Sequence, residues 1–349
     1  MQTNAVNTSI LLIYTGGTIG MIENPVTGAL ENFSFEQLKK HVPELQKFGF
    51  NIDSCQFERP MDSSDMDAKA WRKLVDIINR NYDKYTGFVI LHGTDTMAFT
   101  ASALSFMIEG LCKPIILTGS QLPIGVIRTD GKENLLTSLE IAAACRPDGS
   151  PMVPEVCVYF ENKLMRGNRT TKLNAEDFNA FRSYNYPDLA TVGIHIKYNQ
   201  YAIHYPEKPT PLEVHTEMDT RVAILKLFPG INETVVKAVL SVPDLKGVVL
   251  ETYGSGNAPR KGWLVDCLTE ASHRGVVIVN VTQCKSGMVD MDRYETGYQL
   301  KSAGVLSGYD ITTEAALTKL MFLFGQRLTV EQVRESMLHS CVGEVLSPN

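Results

Sequence analysis

Short apolar runs, separated by longer stretches of helical period, constrain this chain more than any other feature. The runs are Ser9–Tyr14, Gly87–Leu91, Pro114–Leu117, Glu155–Phe160, Val222–Leu227, Gly247–Leu250 and Gly275–Val281. Successive strand residues face opposite ways, so a half-exposed strand alternates polar and apolar side chains. Several of these runs are apolar at nearly every position, as expected of strands covered on both faces. Between them, six segments read as helices: Asp67–Tyr82, which opens on an acidic cap candidate, Thr96–Glu109, Glu133–Ala144, Asn232–Leu240, Arg260–His273 and Thr313–Phe324. This alternation predicts an α/β protein with parallel sheets and crossover helices.

A length of 349 residues predicts two domains. The stretch Pro206-Glu207-Lys208-Pro209-Thr210-Pro211 has no period and three prolines in six residues. Proline removes backbone donors and stiffens the chain, so this stretch reads as an interdomain connection. The expected organisation is a larger N-terminal α/β domain over 1–205, a linker over 206–220 and a smaller C-terminal parallel α/β domain over 221–349. The larger domain is expected to hold a mostly parallel sheet with flanking helices.

Charge and cysteine usage exclude several classes. The net charge is −6, and no basic stripe of the kind that neutralises phosphates is visible. The seven cysteines are scattered and form no C-x-x-C pair, which argues against a disulfide framework or a zinc site and for a reducing compartment. Met1–Ser9 carries no Lys or Arg, and the apolar run Ile10–Tyr14 is too short for a signal-peptide core. No stretch is long enough to span a bilayer. The expectation is a soluble cytoplasmic protein with neither nucleic acid nor membrane as partner.

In open α/β sheets, ligands bind outside the carboxyl ends of the strands. Four motifs follow strands or precede helices there. Thr15-Gly16-Gly17-Thr18-Ile19-Gly20 reads as a plain glycine turn, as a phosphate cradle, or as a turn that presents the Thr18 hydroxyl; it lacks the glycine and lysine spacing of the nucleotide loops. Met61-Asp62-Ser63-Ser64-Asp65-Met66 supplies helix caps or a hydroxyl pair, Ser63 and Ser64, for a polar substrate. His92-Gly93-Thr94-Asp95-Thr96 joins a buried strand to a helix start, where backbone N–H groups favour anions. Asp95 reads as a cap or as the acid beside an activated hydroxyl, and His92 as structural. Arg166-Gly167-Asn168-Arg169-Thr170-Thr171-Lys172 follows the strand ending at Phe160. Lys172 is either a surface lysine or, if covered beside Thr94 and Asp95, part of an acid–base unit.

TGGTIG, MDSSDM, HGTDTM, TGSQLP, RGNRTTK and YGSGNAP resemble the motifs of bacterial type I L-asparaginases, and the similarity extends from the first strand to the helix near Thr313. The resemblance implies hydrolysis of the side-chain amide of L-asparagine, and more weakly of glutamine, without metal or organic cofactor. It implies that Thr18 is the nucleophile and that Thr94, Asp95 and Lys172 form a second triad. Ser63 and Asp95 then hold the substrate's α-carboxylate and α-amine, with Ser64 nearby. The Thr94 amide and the segment around Ser120 cradle the reacting amide. Asn257 approaches a neighbouring subunit's site, in a homodimer or a dimer of dimers.

Three further expectations follow. Met21–Phe33 is expected to be a lid, but Val26-Thr27-Gly28-Ala29-Leu30 lacks the tyrosine that many relatives carry there. Tyr294 is expected to replace it from the second domain. Cys284 and Thr171 match part of an allosteric asparagine site known in some type I enzymes, but Glu251 stands where an arginine would pair with the effector's carboxylate. Weak or absent cooperativity is expected. Two other readings of the same motifs are a non-catalytic amino-acid sensor and an ammonia-releasing amidotransferase subunit; a nucleotide-binding protein is argued against by the missing phosphate-loop lysine and third glycine.

Overall fold

The apolar runs form the strands of two separate sheets. A computed structural model of the chain describes residues 8–23, 30–32, 35–208 and 210–346. The chain divides into two compact units, Met1–Val214 and His215–Asn349. Among the described residues no helix is long and apolar enough to cross a membrane.

The first unit is built on an eight-stranded sheet. Its order is Ile196–Tyr198, Ala190–Val192, Lys163–Arg166, Val156–Phe160, Ile115–Thr118, Gly87–Leu91, Ser9–Tyr14 and Asn51–Gln56. The five strands from Val156–Phe160 to Asn51–Gln56 run parallel. Register places Tyr14 beside Leu91 and Leu91 beside Thr118, so the next residues of three chain segments emerge together. All five residues of Gly87–Leu91 are buried. Ile10, Leu12, Val89, Leu91 and Ile116 pack with Leu135 and Leu139 of the helix Gly131–Ala143. Each such side chain contributes about 1.5–3 kcal/mol when fully buried. The helix Ala68–Asn81 starts where Asp67 accepts from the Ala70 amide at 2.9 Å, and it buries Trp71, Leu74, Val75 and Ile78 along one face.

This sheet differs from the sequence reading at both of its ends. Asn51–Gln56 is an added edge strand, parallel to Ser9–Tyr14, whose mostly exposed residues made no apolar run. Beyond Phe160 the chain turns back through Glu161, whose φ is 59°, and Lys163–Arg166 pairs antiparallel with Val156–Phe160. The segment that begins at Arg166 therefore leaves the sheet at the end opposite to the expected one.

The second unit holds a parallel sheet ordered Val222–Lys226, Gly247–Thr252, Val277–Thr282 and Leu306–Ser307. Both faces are covered. Val248, Leu250 and Ile278 pack with Leu264 and Leu268 on one side; Val249, Val277 and Val279 pack with Leu320 and Val333 on the other. In the second layer Lys319 and Glu344, both fully buried, pair at 2.6 Å. Lys319 also donates to the His339 carbonyl, and Glu344 accepts from the backbone amides of Cys341 and Val342. These bonds supply the partners that buried charges require and tie the last segment to the helix Thr313–Gly325.

Candidate active site

Glycines bring the strand-end loops of the first unit into backbone contact. Thr15 donates through both its amide (3.1 Å) and its hydroxyl (3.0 Å) to the Leu91 carbonyl, and its own carbonyl accepts from Met61 N at 2.9 Å. A Cβ on Gly16 would overlap the Met61 backbone, and one on Gly17 would lie 2.5 Å from Gly93 Cα. Gly17 also has φ 87°. A Cβ on Gly93 would lie 2.6 Å from Ser63 Oγ. The glycine turn and the presentation of Thr18 are thus one device: the turn lets the loops stack and sets Thr18 at the start of a short 3₁₀ turn, Thr18–Gly20. The Tyr14 hydroxyl donates to the Gly20 carbonyl at 3.0 Å and secures that turn; burial pushes the Tyr14 phenol well above its usual range.

In the second motif, the neighbouring serines have different partners. Asp62 accepts from both the amide and the hydroxyl of Ser64 at 2.8 Å, and these bonds hold its carboxyl below the usual range. Ser63 is buried, and its carbonyl accepts from the Thr96 hydroxyl at 2.6 Å. Ser64 therefore serves a local turn, while Ser63 faces the glycine of the third motif.

The fourth motif reaches the site by another route than expected. Gly167 packs closely against Ala101 of the helix Met97–Met107: an added Cβ would lie 3.0 Å from the Ala101 side chain and 3.0 Å from the Val156 carbonyl. The chain then reaches Thr171–Lys172, which pairs antiparallel with Phe181–Arg182. There Lys172 Nζ donates to Thr94 Oγ1 at 2.8 Å and to Asp95 Oδ1 at 2.7 Å. The Lys172 side chain is 19% exposed and that of Asp95 66% exposed. Lys172 is thus a covered lysine shared by a hydroxyl and an open carboxylate. Ser120 is buried in the adjacent loop and donates to the Leu122 carbonyl at 2.5 Å. Gln121 was not singled out from sequence, yet its Oε1 lies 3.2 Å from Thr94 Oγ1. Its place beside Ser120 in the TGSQLP segment was the available signal.

His92 lies behind the site, fully buried. Its Nδ1 is 2.6 Å from the Gly93 carbonyl, so Nδ1 carries the proton and Nε2 accepts from the Thr100 hydroxyl at 2.9 Å. Thr100 in turn accepts from the indole of Trp71 at 3.0 Å. Burial lowers the imidazole to about 4, which keeps it neutral and structural.

The remaining candidates lie in the second unit. Asn257 closes a turn with Tyr253, and its Oδ1 accepts from the Thr296 hydroxyl at 2.9 Å. Tyr294 is exposed and precedes the helix Glu295–Ser302, so the loops bearing Asn257 and Tyr294 are joined by that bond. Glu251 accepts from the Thr313 hydroxyl at 2.7 Å and pairs with Lys226 at 3.2 Å. Cys284 is exposed there, whereas Thr171 is buried in the first unit. Of the expected lid, Met21–Glu23 pairs antiparallel with Leu30–Asn32. Residues 24–29 and 33–34, including most of the stretch that lacks a tyrosine, lie outside the described residues.

Parallel strands ending at one edge, loops stacked there on glycines, and a lysine shared by Thr94 and Asp95 define an α/β protein that presents hydroxyls beside a hydrogen-bonded lysine–carboxylate pair. Comparison with known proteins narrows the class. Residues 9–204 match the family model "Asparaginase, N-terminal", and residues 221–337 match "Glutaminase/Asparaginase C-terminal domain". The chain belongs to the asparaginase family. It is 44% identical over 345 residues to L-asparaginase 1 of Escherichia coli K12, covering 97% of this chain and 98% of that protein. The crystal structure of L-asparaginase I from Vibrio cholerae matches with a TM-score of 0.88 and 42% identity, over 98% of this chain and 100% of that one. The human 60 kDa lysophospholipase is 43% identical over 97% of this chain and 62% of its own length.

Proposed function

We propose that this protein is an L-asparaginase, an amidohydrolase that converts L-asparagine to L-aspartate and ammonia. The observation that carries the reading is the double hydrogen bond of Lys172 Nζ to Thr94 Oγ1 and Asp95 Oδ1, assembled from residues 77 and 78 positions apart. A threonine hydroxyl is a weak nucleophile unless a neighbouring group manages its proton. Thr18 attacks the side-chain amide carbon, and ammonia leaves carrying the transferred proton. Water then releases aspartate, with Thr94, Asp95 and Lys172 relaying protons. The Thr94 amide and the Ser120 segment stabilise the developing oxyanion. Ser63 binds the α-carboxylate, with Ser64 beside it. Asp95, whose Oδ1 holds Lys172, offers its other oxygen to the α-ammonium; its open carboxylate favours that role.

Asn257 is assigned to the site of a neighbouring subunit, and Tyr294 to the role of the tyrosine that the lid stretch lacks. We place the catalytic domain at 1–205 and the second at 221–349, joined by 206–220; the unit boundary at Val214 and the matched ranges 9–204 and 221–337 support this division. The protein is assigned as a cytoplasmic homodimer or dimer of dimers that needs no cofactor. Ammonia release from asparagine and glutamine, measured beside fatty-acid release from a lysophospholipid, tests the substrate. Preference for asparagine is the expected outcome; turnover of the lysophospholipid alone would reassign the hydroxyl chemistry to acyl esters.

A further inference from the structure

We propose that Gln121 is a positioning residue that fixes the direction of the Thr94 proton and so the donor–acceptor order of the Thr94–Lys172 pair. The proposal rests on the asparaginase reading and adds a residue to it. The argument begins at one backbone carbonyl. Asp177 O can only accept, so the Gln121 side-chain atom 3.1 Å from it must be Nε2. The amide orientation is then fixed, and Oε1 faces Thr94 Oγ1 at 3.2 Å. Oε1 also only accepts, so the Thr94 hydroxyl donates to it. Thr94 has no second proton; Lys172 Nζ, 2.8 Å away, must therefore donate to Thr94 Oγ1. A second lysine proton goes to Asp95 Oδ1 at 2.7 Å. The chain of donors runs from Lys172 through Thr94 and Gln121 to the Asp177 carbonyl.

Gln121 is itself held in place. The Asp130 carboxylate accepts from Gln121 N at 3.0 Å and from Leu122 N at 3.2 Å. Asp177 lies on the loop between Lys172 and Phe181, so Gln121 ties the lysine's own loop to Thr94. Charged groups near the pair include Asp95 against Lys172, Asp130 against the Gln121 backbone, Asp177 through its carbonyl, and Arg182 opposite Thr171 in the short antiparallel pair. For Lys172 to take a proton from Thr94, that hydroxyl must leave Gln121 and turn. Gln121 therefore favours the form of the pair with the proton on lysine.

The test is the pH profile of kcat for ammonia release from asparagine in wild type, Gln121→Met and Gln121→Glu. Methionine removes the acceptor without adding charge. Its acid limb is expected to move to lower pH by about half to one unit, the equivalent of one net hydrogen bond. Glutamate keeps an acceptor and adds negative charge beside Lys172, so its limb is expected to move to higher pH. Loss of structure alone would lower the plateau in both variants and leave the limbs in place. Unmoved limbs, or shifts of the same sign, overturn the proposal while the asparaginase reading stands. Wild-type protein that releases no ammonia overturns that reading instead.

Discussion

Acidification should weaken the first unit through His92, and the structure gives the size of the effect. The enclosed imidazole titrates at about 4 rather than the ordinary 6.5, because burial disfavours its charged form more than the Gly93 carbonyl favours it. At ~1.36 kcal/mol per unit, this difference is worth roughly 3 kcal/mol. The folded-state value is depressed, so the unfolded chain binds the proton first. The contribution is fully present above 6.5 and is lost as pH falls toward 4. His92→Asn removes the titration while leaving an amide donor near the Gly93 carbonyl. The chain has two tryptophans, Trp71 and Trp263, and Trp71 is bonded into the His92 network through Thr100. In a Trp263→Phe background, urea unfolding followed by Trp71 fluorescence reports the first unit. From neutral pH to about pH 4, the His92 protein should lose roughly 3 kcal/mol more stability than His92→Asn. Equal losses in the two proteins would refute the assignment of a neutral, buried imidazole.

Other perturbations have defined outcomes. Gly17→Ala drives a Cβ into the Gly93 backbone at a positive φ, so ammonia release should fall about a hundredfold or more; near-normal kcat would show that the loops need not stack. Lys319→Met leaves Glu344 buried without its cation and should cost ~3–5 kcal/mol in urea unfolding, with much of the loss recovered in Lys319→Met/Glu344→Gln. The Glu251 carboxylate already holds Lys226 and Thr313, so the pair offers no net positive charge to an effector's carboxylate. Asparagine saturation curves should be hyperbolic, and a clearly sigmoidal curve would contradict this.

The buried part of the fold was the legible part. Gly87–Leu91 and Ser9–Tyr14 read as strands because nothing polar interrupts them, and the residues that follow them carry the TGGT and HGTDT motifs. Asp67 announced its helix, since it caps with its own side chain, and Asn232 caps the helix it opens in the same way. The edge strand Asn51–Gln56 was hidden because its side chains face largely outward, where solvent permits polar residues. The reversal at Glu161 was hidden because no glycine marks its positive φ. The motif residues themselves were readable, but the approach of Lys172 to Thr94 was not. It depends on a strand that runs the opposite way and on Gly167 packing against Ala101, and neither leaves a periodic trace. Gln121 escaped for a similar reason: its role lies in the direction of its amide, which only the surrounding hydrogen bonds define.

The most direct test of the account is ammonia release from L-asparagine by the purified protein, by Thr18→Ala and by Lys172→Met. Rapid release by the wild type, abolished in both well-folded variants, is the predicted result. No release by well-folded wild type would contradict the account and favour an amino-acid sensor or a partner-dependent amidotransferase subunit. Full activity in either variant would contradict the roles assigned to those residues.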